Sequence, residues 1–163
     1  MEKEHKPCLK ELKKDYEKIR LRHNLPSFNE MNEDFQIEKI AECETDYLVR
    51  EIRKTIFEKF SNYFRFVESL LYPMDVPIFF FSVIKFLSAE DLEKVKEIYK
   101  ELSKKEIDVI ELDIQYDEKK ETEFVKDSFK FWQETKNELN DIIAKIKKNW
   151  DNKFEITNKG YFG

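Results

Sequence analysis

The sequence predicts an all-α protein: an antiparallel helical bundle of four to five helices with a flexible C-terminal tail. Three observations carry that prediction. Apolar residues recur at spacings of three and four along most of the 163 residues, the period of a helix with one buried face. Glycine is absent until Gly160, and the only other one is Gly163. Charged residues make up 40% of the chain and surround a bulky core supply of fifteen Phe and fifteen Ile against three Ala. Residues 1–152 read as one bundle domain and 153–163 as its tail.

The first helix is expected over about Pro7 to His23, with Leu9, Leu12, Tyr16 and Ile19 on one face. Pro7 suits a first helical turn, where its missing N–H has no partner to lose. Leu25-Pro26 stops that helix, and Ser27 starts a short one with Glu30 three residues on. This is a capping box: the hydroxyl accepts from a free backbone N–H and the carboxylate reaches back to the cap. Phe28, Met31 and Phe35 form its buried side. The next helix spans roughly Asp46 to Tyr72, with Leu48, Ile52, Ile56, Phe60, Tyr63, Val67 and Leu70 as its stripe and Pro73 as its stop.

Pro77 opens an apolar run from Ile78 to Leu87. It is too short to span a bilayer, which takes about 20 residues. It reads as a central helix buried on most sides, with a membrane-surface or partner-binding face as the alternative. Ser88 and Asp91 make a second capping box, and Leu92, Val95, Ile98 or Tyr99, and Leu102 continue that helix. Residues 107–116 alternate like a strand but also fit a helix carrying two adjacent stripes, Val109–Leu112–Tyr116 and Ile107–Ile110–Ile114. A lone strand has no clear mate, so helix is favoured. The last helix is a heptad seam of Val125, Phe129, Trp132, Lys136, Leu139, Ile143, Ile146 and Trp150. Its partner is the helix that starts near Asp46, or else a second copy that makes a homo-oligomer through residues 125–150. Poor helix formers after Trp150 predict fraying near Asn152.

Composition excludes several functions. A glycine-free stretch of 159 residues holds neither a phosphate-binding loop nor a dinucleotide fingerprint. His5 and His23 are the only histidines and Cys8 and Cys43 the only cysteines, too few for a zinc site or a disulfide framework. No metal and no cofactor is expected. The charged first residues lack an apolar core segment, so no secretory signal is read there and a reducing cytoplasm is the expectation. The net charge of −5 hides basic ends, +3 over residues 1–22 and +3 over 144–163, around a middle of −11. That pattern disfavours a nucleic-acid binder using its whole surface but permits a local basic patch.

Four candidates for function follow. Glu118-Lys-Lys-Glu121 and Glu138-Leu-Asn-Asp141 resemble the paired carboxylate motifs of Mg-dependent all-α nucleotide pyrophosphohydrolases. Acids are so common here that chance supplies such a pattern readily, and no Gly or Pro separates the two motifs onto facing helices. Residues 106–118 carry six acids and no Lys or Arg, a solvated face or an acidic docking face for a basic partner, with Asp113 and Tyr116 at its centre. Lys145, Lys147, Lys148, Trp150, Lys153 and Phe154 form a basic and aromatic patch suited to RNA or ribosome contact. Gly160, Tyr161, Phe162 and Gly163 form an aromatic peptide suited to plugging into a partner protein's pocket.

Two resemblances attach to these residues. The tail is similar to the hydrophobic–Tyr–any ending by which proteasome activators dock into the proteasome ring; Tyr161 matches the hydrophobic position, Phe162 the tyrosine and Gly163 the last residue. Phe162 lacks the hydroxyl. Nearly the whole chain resembles a family of small all-α archaeal proteins that end in Gly-Tyr-hydrophobic-Gly. Leu25-Pro26-Ser27-Phe28, Leu48 to Lys54 and Gly160 to Gly163 carry that similarity. It implies the all-α fold and no activity. The expectation is therefore a non-catalytic, cytoplasmic adaptor or regulatory module that contacts a protein partner through its tail, with RNA association as the alternative.

Overall fold

The computed structural model describes residues 9–42, 45–74 and 76–159, with side chains to residue 150 apart from Ile78 and Phe79. It contains no strand among the described residues. Among these residues six α-helices follow one another: α1 (Leu9–His23), α2 (Phe28–Phe35), α3 (Leu48–Leu71), α4 (Ile78–Ile84), α5 (Ala89–Ile114) and α6 (Glu118–Lys159), with a 3-10 helix at Ile37–Glu42. The all-α expectation holds. Of the ambiguous stretch 107–116, residues 107–114 are helical, as the last two turns of α5, and residues 115 and 116 lie beyond its end.

Both expected capping boxes form. Glu30 N donates to Ser27 Oγ while Glu30 Oε2 accepts from Ser27 N at 2.8 Å. Asp91 N donates to Ser88 Oγ at 3.1 Å and Asp91 Oδ2 accepts from Ser88 N at 3.0 Å. Each box satisfies orphan donors at a helix start and fixes where the helix begins. Asp117 does the same for α6, accepting from the backbone N–H groups of Lys119 and Lys120. Gln36 ends α2 in the left-handed conformation, its N–H donating to the Asn32 carbonyl.

The chain divides into two compact units, Met1–Ser61 with Lys104–Phe131, and Asn62–Ser103 with Trp132–Gly163. The first unit is built on edge-to-face rings: Tyr16 on Phe28, Phe35 on Phe60, and Phe60 on Phe131 at 5.6 Å. The Tyr16 phenol donates to the Pro26 carbonyl at 2.8 Å, and burial pushes its pKa up. Here α3 runs parallel to α6, since Arg50 meets Glu121 and Phe60 meets Phe131. The end of α5 runs antiparallel to α6, since Lys105 lies over Phe131 and Glu111 bonds Lys120. The second unit stacks Phe64 on Tyr99 at 5.0 Å and sets Tyr63 against Trp132 at 5.1 Å. Val67, Leu70, Val95, Ile98, Leu139 and Ile142 fill its core.

Three details differ from the sequence expectation. The apolar run after Pro77 is not a helix buried on most sides. α4 ends at Ile84 and the chain turns, with Phe86 N bonding the Val83 carbonyl, to reach the Ser88 cap. Two turns of helix bury one side, so Val83 and Leu87 are buried while Phe81 and Phe86 stay exposed. The seam of α6 packs inside the chain, but on a shifted line. Glu121, Val125, Ser128, Trp132, Thr135, Leu139 and Ile142 are buried, whereas Phe129, Lys136, Ile143, Ile146 and Trp150 are only half-buried. An apolar count skips the three polar members of that line. Finally, the α6 backbone stays helical past Asn152 to Lys159, because Asn and Thr cost a helix only tenths of a kcal/mol each and no Gly or Pro intervenes before Gly160. No described helix is long and apolar enough to cross a membrane.

Candidate functional site

The densest polar arrangement lies in the first unit, where α3, α5 and α6 meet. Arg53 follows Ile52 on the buried face of α3 and is 1% exposed; Glu121, in the first turn of α6, is fully buried. Arg53 Nε lies 2.7 Å from Glu121 Oε2, an ion pair whose N–H is not aimed well enough to count as a hydrogen bond. Arg53 Nη2 donates to Asp113 Oδ1 at 2.6 Å, which ties α3 to the end of α5. Arg50, one turn back, donates to Glu121 Oε1 at 3.4 Å and to the Leu112 carbonyl at 3.3 Å. Its guanidinium also lies 5.1 Å from the Tyr116 ring, which meets Tyr47 edge-on at 4.7 Å. Two planar forks therefore hold two carboxylates, a carbonyl and a ring, work a lysine would do poorly.

A second cluster flanks the first. His23 Nε2 is 2.9 Å from Glu118 Oε1, and Arg22 donates to the same oxygen at 3.1 Å. The hydrogen bond from His23, with the Arg22 charge, holds the Glu118 carboxyl below its ordinary range. Lys126 donates to the His23 carbonyl at 3.0 Å, fixing the end of α1 on α6. An open cleft of about 800 Å³ lies beside these groups, with Leu12, Ile40 and Val49 as its apolar side and Lys14, Asp15, Lys18 and Glu118 as its polar side. The cleft mixes both charge signs, and its described lining holds no Ser, Cys or His. Among the described residues no three His, Cys, Asp or Glu side chains gather to hold a metal ion.

The sequence-predicted residues fall as follows. Asp113 pairs with Arg53 and the Tyr116 ring lies against Arg50, so each faces an arginine of its own unit. The four carboxylates of the pyrophosphohydrolase pattern do not converge, because both motifs lie on the one helix α6. Glu118 and Glu121 are engaged by His23, Arg22, Arg50 and Arg53, while Glu138 and Asp141 line a 300 Å³ pocket with Lys94 and Lys145. Lys145 of the basic patch pairs with Asp91 in the second unit. That bond, with the Ser88 cap, lowers the Asp91 pKa from 3.8 to about 2. Lys147 and Lys148 are exposed and Trp150 is half-buried. The side chains of Lys153 and Phe154 lie outside those described, as do Gly160, Tyr161, Phe162 and Gly163 entirely. So do His5, Cys8 and Cys43.

Sequence reasoning missed Arg50 and Arg53, and it read Glu121 as part of a carboxylate motif, not as the partner of those arginines. One signal was present: arginine is scarce here, five against 25 lysines, and two of the five sit three apart beside the α3 stripe. No protein-family model matches this sequence, and neither a curated protein nor a solved structure is significantly similar to it.

Proposed function

We propose that this protein is a non-catalytic interaction module, an adaptor or regulator that docks a partner protein through Gly160-Tyr161-Phe162-Gly163. The observation that carries the reading is the length of α6. Its backbone is helical to Lys159, so the aromatic pair follows directly on a 42-residue helix, across the first glycine in the chain. Two rings on so short a segment supply the large contact area per residue that anchors small interfaces. The described charge clusters support the reading from the other side. Glu118, Glu121, Asp113 and Asp91 are each engaged by a cation of the fold, so they serve packing.

The test is capture of a partner by the full chain and by a chain lacking residues 160–163. The full chain retains it, the truncated chain does not, and a synthetic peptide of residues 153–163 releases it. Helical content and melting temperature are the same in both. A truncated chain that still binds, or that melts several degrees lower, overturns the reading. The exposed Lys147 and Lys148 beside Trp150 favour RNA as the second reading. Salt separates the two: RNA affinity falls steeply with added salt, whereas docking through buried rings falls modestly.

A further inference from the structure

An imidazole joins the end of α1 to the start of α6. His23 is the last residue of α1, and among the described residues it is the only side chain that ordinarily titrates between about pH 5 and 8. Its ring reaches α6 at two places. Nε2 lies 2.9 Å from Glu118 Oε1, and Nδ1 lies 3.5 Å from Thr122 Oγ1. Glu118 and Thr122 can both face one ring because residues four apart share a helix face.

Proton counting decides which form of the ring this setting fits. A neutral imidazole has one N–H and one lone pair, whereas an imidazolium has two N–H groups and no lone pair. The Glu118 carboxylate only accepts, so Nε2 carries a proton. The Thr122 hydroxyl has a single proton, which goes to the Lys119 carbonyl at 2.8 Å, a far shorter contact than the one to Nδ1. What Thr122 turns to Nδ1 is therefore a lone pair. A neutral ring opposes it with a lone pair of its own, and an imidazolium donates to it. The free carbonyls at the end of α1 also favour positive charge. Three cations lie nearby. Arg22 shares Glu118 Oε1 at 3.1 Å, but it is 65% exposed and solvent screens it. Lys126 is bonded to the His23 carbonyl, and Arg20, one turn back, is paired with Glu17. The turn that follows, residues 24–27, brings no charge.

We infer that His23 is a pH-responsive clip, held as the imidazolium between Glu118 and Thr122, and that α1 loosens from α6 when the ring gives up its second proton. The folded chain then binds this proton more tightly than the unfolded chain does. The stability the clip contributes is therefore full below the ordinary histidine range, near about 6.5, and is lost as pH rises through and above it. Arg22 and Lys126 keep their bonds to Glu118 and to the His23 carbonyl, so α1 loosens without leaving. Arg22 and Glu118 also line the open cleft beside α1, so the width of that cleft depends on the clip. This goes beyond the tail reading and uses none of its residues.

The test is an NMR titration of the histidine ring nitrogens in the full chain over about pH 5 to 9, with the His23→Gln spectrum assigning the signal. At the acid end both nitrogens of His23 carry protons, and at the alkaline end only Nε2 does. Glu118→Gln weakens proton binding at His23 about threefold or more. Thr122→Val, which keeps the branched shape and removes the oxygen, weakens it as well, while Thr122→Ser leaves it unchanged. Arg22→Gln strengthens it by removing a like charge. Amide exchange from Ile19 to Leu25, corrected for its intrinsic pH dependence, quickens relative to α6 as the proton leaves. In denaturant titrations the advantage of wild type over His23→Gln shrinks between about pH 5.5 and 8, and it is flat in a Glu118→Gln background. The inference is overturned by an Nδ1 without a proton at the acid end, by proton binding indifferent to Glu118→Gln, or by a stability advantage that does not change with pH.

Discussion

The two units each contain an ion pair that joins two helices, and the pairs differ in burial. Arg53 and Glu121 in the first unit are both out of water, while in the second Asp91 is buried but its partner Lys145 is half exposed. The chemistry is alike, and the consequences of losing a partner are not. Once desolvated, an ion depends on its partner entirely. An ion at the surface falls back on solvent. The first unit is therefore pinned by a polar group that tolerates no deletion, and the second mainly by the Phe64–Tyr99 and Tyr63–Trp132 ring contacts.

The largest effect expected from breaking this contrast is at Glu121. Glu121→Ala leaves the buried Arg53 with only the exposed Asp113 carboxylate and costs about 3 kcal/mol, a melting drop on the order of 10 °C. The double change Arg53→Met with Glu121→Leu removes both charges and stays within about 1 kcal/mol of wild type by denaturant titration. If the single and double variants melt alike, the pair is not the pin described here.

Asp91→Asn ranks next, at about 1 kcal/mol from the weakened capping box, with a small addition from Lys145. Its pH dependence is the sharper measurement. The folded pKa of about 2 lies below the ordinary 3.8, so the carboxylate stabilises the fold above that ordinary value. The stability difference between wild type and Asp91→Asn is present at neutral pH and shrinks as pH falls through 4 toward 2. Lys145→Ala costs less, under about 1 kcal/mol and reduced by added salt, because the lysine keeps its solvent. Smallest is Ile110→Glu, within about 0.5 kcal/mol, since that exposed side chain contributes little to the fold. A large loss there would mean that the exposed α5 stripe belongs to the core.

Much of the fold was legible because its signals are local. Ser27 with Glu30 and Ser88 with Asp91 announce helix starts within four residues, and both boxes form. The α3 stripe is buried at Ile52, Ile56, Phe60, Val67 and Leu70 as its spacing predicts. The polar pin was not legible. Glu121 resembles its many solvated neighbours until Arg53, 68 positions earlier, is placed beside it, and Ser128 and Thr135 are buried by the helices packed on them. Nor was the shape of the apolar run after Pro77, whose exposure depends on how little of a two-turn helix can be covered.

Composition, spacing and caps therefore determined that this chain is helical, where most of its helices begin, and that phosphate loops are absent before Gly160. Those properties depend on residues within a turn or two of each other. Tertiary structure decided which of two equivalent α5 stripes was buried, which carboxylates met arginines, and which line of α6 formed the core. Each of those outcomes depends on groups far apart in sequence, and burial makes a charge or an isoleucine worth something different from what it is worth in water.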